Sequence, residues 1–128
     1  MAKILLIDDD QDVITQYQAA LSGQGHQLTA AYSAAEARAA LKKESPDVAV
    51  VDIMMDNGIP GFDLAREIHA QAPKAVIFMA SSLNSELKQP MDNTPDDKLP
   101  IRKFLDKPVP AKALVEEIAR ALAAGASR

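Results

Sequence analysis

Four consecutive small or β-branched residues, Val48-Ala49-Val50-Val51, end abruptly in Asp52. A strand that is apolar on both sides must be covered on both sides. This run therefore belongs inside a parallel sheet with helices above and below it. Asp52 is the first polar group at the strand's carboxyl end. In open α/β sheets, ligands bind outside the carboxyl ends of the strands, so Asp52 is the first residue to examine for chemistry.

The rest of the chain supplies that sheet. Lys3-Ile4-Leu5-Leu6-Ile7 is a second continuous apolar run, and it stops at Asp8-Asp9-Asp10. A helix follows, with Val13, Ile14, Tyr17, Ala20 and Leu21 at helical spacing. Gly23 and Gly25 are expected to end it in the left-handed conformation that glycine accepts. The segment 27–31 is more polar and suits an edge strand. Ser33 with Glu36 is a capping-box pattern that opens a second helix, extending to Leu41–Lys43. Ser45-Pro46-Asp47 turns the chain into the central strand, and 55–61 reads as a loop. A third helix with Leu64, Ala65 and Ile68 inward runs to about Gln71. Residues 75–80 form a fourth strand, again continuously apolar, and Phe104-Leu105-Asp106 a short fifth. Pro110 suits the first turn of a last helix with Leu114, Val115, Ile118 and Leu122 inward.

Strands alternating with helices imply a single doubly wound, flavodoxin-like α/β domain with right-handed crossovers. The most hydrophobic runs are the first, third and fourth. Placing those strands centrally gives a five-stranded parallel sheet of order 2-1-3-4-5 with helices on both faces. In that order the first and third strands are neighbours, and Asp8 and Asp9 lie beside Asp52. Between the fourth and fifth strands, Pro90, Pro95 and Pro100 interrupt a stretch that also holds Asp92, Asp96 and Asp97. Prolines this close forbid one long helix. The fourth helix is expected to be short or replaced by a loop.

A chain of 128 residues, 48% of them apolar, fits one ordinary domain with a real core. A net charge of −4 and no long basic run disfavour nucleic-acid binding. The absence of cysteine excludes disulfides and thiolate metal sites. The apolar runs are too short to span a bilayer, and the first residues do not form a signal peptide. A soluble, cytoplasmic protein with no membrane partner is the expectation.

Three carboxylates converging at one sheet edge repel one another. A hard divalent cation with oxygen ligands offsets that repulsion, and with so few carboxylates Mg²⁺ retaining several waters fits better than a calcium cage. Such an ion neutralises an incoming phosphoryl group, and a carboxylate can attack phosphorus to form an acyl phosphate. Lys107, at the end of the fifth strand, is placed to add a point charge. Each feature alone has a plainer reading. Asp8 to Asp10 suit a helix N-cap, Asp52 a strand-end turn, Lys107-Pro108 a solvated loop and Phe104 the core. The isolated His26 and His69 read as surface or boundary residues. What favours chemistry is coincidence, because each element falls at the carboxyl end of a different parallel strand.

Ile4-Leu5-Leu6-Ile7-Asp8-Asp9-Asp10, then Pro46-Asp47 through Met54-Met55, then Phe104-Leu105-Asp106-Lys107-Pro108 together resemble the receiver (CheY-like) domain of two-component response regulators. The resemblance covers essentially the whole chain. It implies a receiver domain over 1–124, with 125–128 a tail or the start of a linker. It also implies Asp52 as phosphoacceptor, Asp9 as a direct ligand of Mg²⁺ or Mn²⁺, Asp8 as holder of a metal-bound water and the Met54 carbonyl as a further ligand. Lys107 becomes the phosphate contact and Phe104 the aromatic switch position. The implied partners are a sensor histidine kinase or a histidine phosphotransfer protein, and a downstream protein target or output domain. Homodimers occur in the family. The resemblance further implies a domain that dephosphorylates itself and is not a multiple-turnover enzyme.

Three departures from the family pattern stand out. Ala80 occupies the switch-hydroxyl position, with Ser81 and Ser82 after it. Asp56 replaces a proline in a loop about one residue longer. The fourth-helix region is the Pro- and Asp-containing stretch ending Leu99-Pro100. The alternative these departures support is a pseudo-receiver, an interaction module with weak or no phosphorylation. A phosphatase with an aspartyl nucleophile needs a second acid two residues on, where this chain has Met54. A flavin-binding protein of this topology needs a Ser, Thr and Gly-rich loop after the first strand, where three aspartates stand.

Overall fold

All five residues of the central strand are buried, the carboxylate included. The computed structural model describes residues 2–52, 54–55, 59–81, 101–106 and 109–126. Its elements are β1 (Lys3–Ile7), α1 (Gln11–Ser22), β2 (Gln27–Ala31), α2 (Ala34–Lys43), β3 (Val48–Asp52), β4 (Met54–Met55), β5 (Ile59–Pro60), α3 (Gly61–Gln71), β6 (Val76–Ser81), β7 (Lys103–Asp106) and α4 (Ala111–Ala126).

Five strands form one parallel sheet in the order β2-β1-β3-β6-β7. With β6 and β7 as the fourth and fifth strands of that sheet, this is the predicted 2-1-3-4-5 order. The alternating exposure of β2 marks it as an edge, as its polar pattern requires. The expectation of a shortened or replaced fourth helix concerns residues 82–100, which lie outside the described residues. Among the described residues, no helix is long and apolar enough to cross a membrane.

The period of two along each strand divides the core. Ile4, Leu6, Val48, Val50, Val76, Phe78 and Leu105 lie beneath α1 and α4, meeting Ile14, Tyr17, Leu21, Leu114 and Ile118. Leu5, Ile7, Ala49, Val51, Ile77 and Met79 face α2 and α3, meeting Ala37, Leu41, Leu64, Ala65 and Ile68. Each fully buried aliphatic side chain contributes about 1.5–3 kcal/mol relative to exposure. The two layers therefore hold the sheet from both sides, as a central strand without a polar face demands.

Asp47, which the sequence reads as a turn residue, sets the register. Its amide donates to the Lys3 carbonyl at 2.7 Å, and its carboxylate accepts the Lys3 amide at 2.8 Å. Its own carbonyl accepts the Val76 amide at 2.9 Å. One residue thus ties the entrances of β1, β3 and β6 together. Because side chains alternate, a slip of one residue would turn Asp52 to the other face.

Two local expectations are corrected. The segment 55–61 is not a simple loop. Met54 pairs with Pro60 and Met55 with Ile59 in an antiparallel β4–β5 ladder, and α3 begins at once at Gly61. Strands of two residues are too short to show a period, and a proline within them argues against a strand in the sequence. At the end of α1, Gly23 is right-handed with φ −68°, and only Gly25, at φ 80°, takes the left-handed conformation.

The two glycines therefore differ in what they tolerate. A Cβ at Gly23 would meet the Ala20 carbonyl oxygen at an ordinary 3.7 Å. Gly23→Ala is expected to leave stability unchanged or raise it by about 0.4–1 kcal/mol, and Gly25→Ala to lower it by about 1 kcal/mol or more. Urea denaturation of both variants checks this. Equal effects would show that the left-handed turn at Gly25 is not what closes α1.

Candidate functional site

Strand pairing brings the acids together. Ile7 is in register with Val51, so Asp8 and Asp52 stand side by side one step further on. The Asp8 amide donates to the Ala31 carbonyl at 3.1 Å, which carries the sheet pattern one residue past β1. Asp9 follows, exposed, where the chain leaves the sheet. One carboxylate oxygen from each of Asp8, Asp9 and Asp52 lies within 4.8 Å of the others. Asp8 is 4% exposed and Asp52 6%. Among the described residues these are the only charged side chains that are buried.

Burying charge is costly unless it is hydrogen-bonded, paired or bound to a metal. Part of that requirement is met by the start of α1. The Asp10 amide donates to Asp8 Oδ1 at 2.9 Å. Asp10 then caps the helix, its Oδ1 accepting from the amides of Asp12 at 3.0 Å and Val13 at 3.4 Å. The helix-cap reading of the three aspartates is therefore correct for Asp10, and the metal reading suits Asp8 and Asp9. The three side chains offer carboxylate oxygens, which fits a hard divalent cation such as Mg²⁺ or Mn²⁺.

On the other side of Asp52 the described residues of its row are apolar. Asp52 is in register with Ala80, and Ala80 with Leu105. Ala80 is 2% exposed. At the carboxyl edge of the sheet the row thus reads Asp8, Asp52, Ala80, Leu105, two acids followed by two hydrocarbon side chains. Ser81 pairs with Asp106, one step beyond this row, and Phe104 pairs with Met79, one step before it. Met54 lies in β4, opposite Pro60. Lys107 and Asp56 lie outside the described residues. Tyr17, read from the sequence only as part of the inner face of α1, lines the pocket below Asp8 and Asp52. Its chemistry cannot be distinguished from packing by helical spacing alone.

The model of the response regulator receiver domain family matches residues 4–119, and the chain belongs to that family. Protein PilH of Pseudomonas aeruginosa is 30% identical over 123 residues, covering 96% of this chain and 99% of PilH. Transcriptional regulatory protein AfsQ1 of Streptomyces coelicolor is 29% identical, covering 98% of this chain and 53% of AfsQ1. Among solved structures, a CheY-like receiver domain protein from Methanospirillum hungatei shares the fold. It has a TM-score of 0.87 over 99% of this chain and 98% of that one, at 22% identity. NtrX from Brucella abortus, 28% identical with a TM-score of 0.82, matches 97% of this chain with 27% of its own. The chain thus spans nearly all of PilH but about half of AfsQ1 and about a quarter of NtrX.

Mutual repulsion in the acidic cluster makes a directional prediction. Asp9→Asn is expected to raise the thermal unfolding midpoint in metal-free buffer by roughly 2–6 °C. A cation that binds the folded cluster raises the midpoint, so Mg²⁺ should raise that of the wild type and leave that of Asp9→Asn almost unmoved. Scanning calorimetry with and without Mg²⁺ reads both effects. An unaltered Mg²⁺ response in the variant would remove Asp9 from the cluster.

Proposed function

We propose that this receiver domain accepts a phosphoryl group on Asp52 from a sensor histidine kinase or a histidine phosphotransfer protein, in a Mg²⁺-dependent reaction, and thereby switches its protein contacts. The observation that carries this reading is the convergence of Asp8, Asp9 and Asp52 oxygens within 4.8 Å at the carboxyl edge of the sheet. Membership of the receiver family supports it.

In the transfer, an Asp52 carboxylate oxygen attacks phosphorus. The new P–O bond forms as the P–N bond to the donor imidazole breaks, and the imidazole leaves with the bonding pair and takes up a proton. Later, water attacks the phosphorus of the acyl phosphate. The P–O bond to Asp52 breaks, and inorganic phosphate and the carboxylate are released. Phosphoryl transfer needs positioning and positive charge more than covalent assistance. Asp9, Asp8 through a water, Asp52 and the Met54 carbonyl are the groups we assign to a bound Mg²⁺ or Mn²⁺. When bound, that ion supplies positive charge to the phosphoryl oxygens. Lys107 is assigned the remaining phosphate contact, and Phe104 with the Ala80–Ser81 strand end the switch region. We assign residues 1–124 to the receiver domain and place its action in the cytoplasm. We further assign its output to a separate protein target, an attached output domain or a second copy of the chain.

Incubation with Mg²⁺ and a small phosphodonor is expected to add one phosphoryl mass to the intact protein. Asp52→Asn should lose the increment entirely, and a chelator should suppress it in the wild type. A wild type that takes up no phosphoryl group and matches Asp52→Asn would leave an interaction module and overturn phosphorylation as its switch.

A further inference from the structure

The apolar half of the carboxyl-edge row raises the question of which side chain registers a charge placed on Asp52. The strand next to it presents Ala80, a methyl group with nothing to donate or accept. Below the row lies a small pocket lined by Leu6, Asp8, Ile14, Tyr17, Asp52 and Ala80, among others. Tyr17 brings the polar aromatic group to it. This phenol is 3% exposed, and among the described residues no buried side-chain nitrogen or oxygen lacks a hydrogen-bond partner.

Helix geometry explains how a residue seven positions past the N-cap reaches the site. Long side chains on a helix point back toward its N-terminus. The N-terminus of α1 is itself fastened to the acidic cluster through the hydrogen bond from the Asp10 amide to Asp8. The helix therefore meets the site twice, once through its cap and once through the Tyr17 ring. Inside a pocket shielded from water, a change of charge is felt more strongly than at the surface.

We propose that Tyr17 is a positioning residue of the phosphoacceptor site, through which α1 registers charge on Asp52. This rests on the assignment of Asp52 as phosphoacceptor. The consequence is directional: the response enters α1 and passes to α4, against which α1 packs.

The chain has two tyrosines and no tryptophan, so tyrosine emission reads the claim directly. Tyr32→Phe, which leaves Tyr17 as the sole tyrosine, should change its emission when Mg²⁺ and a small phosphodonor are added, in step with the mass increment. Tyr17→Phe should still take up phosphate, about 3- to 10-fold more slowly, as expected from disturbing one hydrogen-bonded group. Its far-ultraviolet circular dichroism should be unchanged. A full mass increment with silent emission in Tyr32→Phe overturns the inference and leaves the phosphoacceptor assignment intact. So does wild-type uptake kinetics in Tyr17→Phe. No mass increment in either protein or in the wild type overturns the assignment, and the inference with it.

Discussion

The parallel pairing of β1 with β3 is the constraint on which the site depends. It is fixed far from the carboxylates, where Asp47 joins Lys3 through both its backbone and its side chain and offers its carbonyl to Val76. From that clamp the register runs unbroken to Ile7 opposite Val51 and Asp52 opposite Ala80. Two buried acids are then neighbours by necessity. A sheet can hold that arrangement because hydrophobic layers on both faces secure the strands against the repulsion it creates.

That repulsion is also what gives the site its chemistry. A pair of buried carboxylates and an exposed third form an oxygen-lined cluster suited to a hard cation. The helix that follows β1 does not stand apart from it. Its N-cap residue donates its amide to Asp8 while accepting from the first turn, so the cluster and α1 share a boundary residue. The opposite flank, Ala80 and Leu105, offers only hydrocarbon. Among the described residues the row is therefore asymmetric: it is acidic toward β1 and apolar toward β6 and β7.

Much of this was legible in the sequence because the central strands have no polar face. Continuous apolar runs at 4–7, 48–51 and 75–80 identified the buried strands, and their ranking gave the strand order. The convergence of Asp8, Asp9 and Asp52 followed from that order. Other features were not legible, for identifiable reasons. The β4–β5 ladder is too short to leave a period and includes Pro60. Gly23 and Gly25 are indistinguishable in sequence, although only the second needs positive φ. Asp47 resembles any turn aspartate until its three strand contacts are seen. Tyr17 obeys the helical spacing of a core residue, and only the tertiary fold places it under the acids.

The most direct test of the account is the location of the bound cation. In a backbone amide spectrum titrated with Mn²⁺, paramagnetic broadening should appear first at Asp8, Asp9, Asp10 and Asp52. It should spread next to Ala80 and the first turn of α1, and Asp9→Asn should weaken it. Broadening that begins elsewhere, or that persists undiminished in Asp9→Asn, would contradict a metal site built by the pairing of β1 with β3.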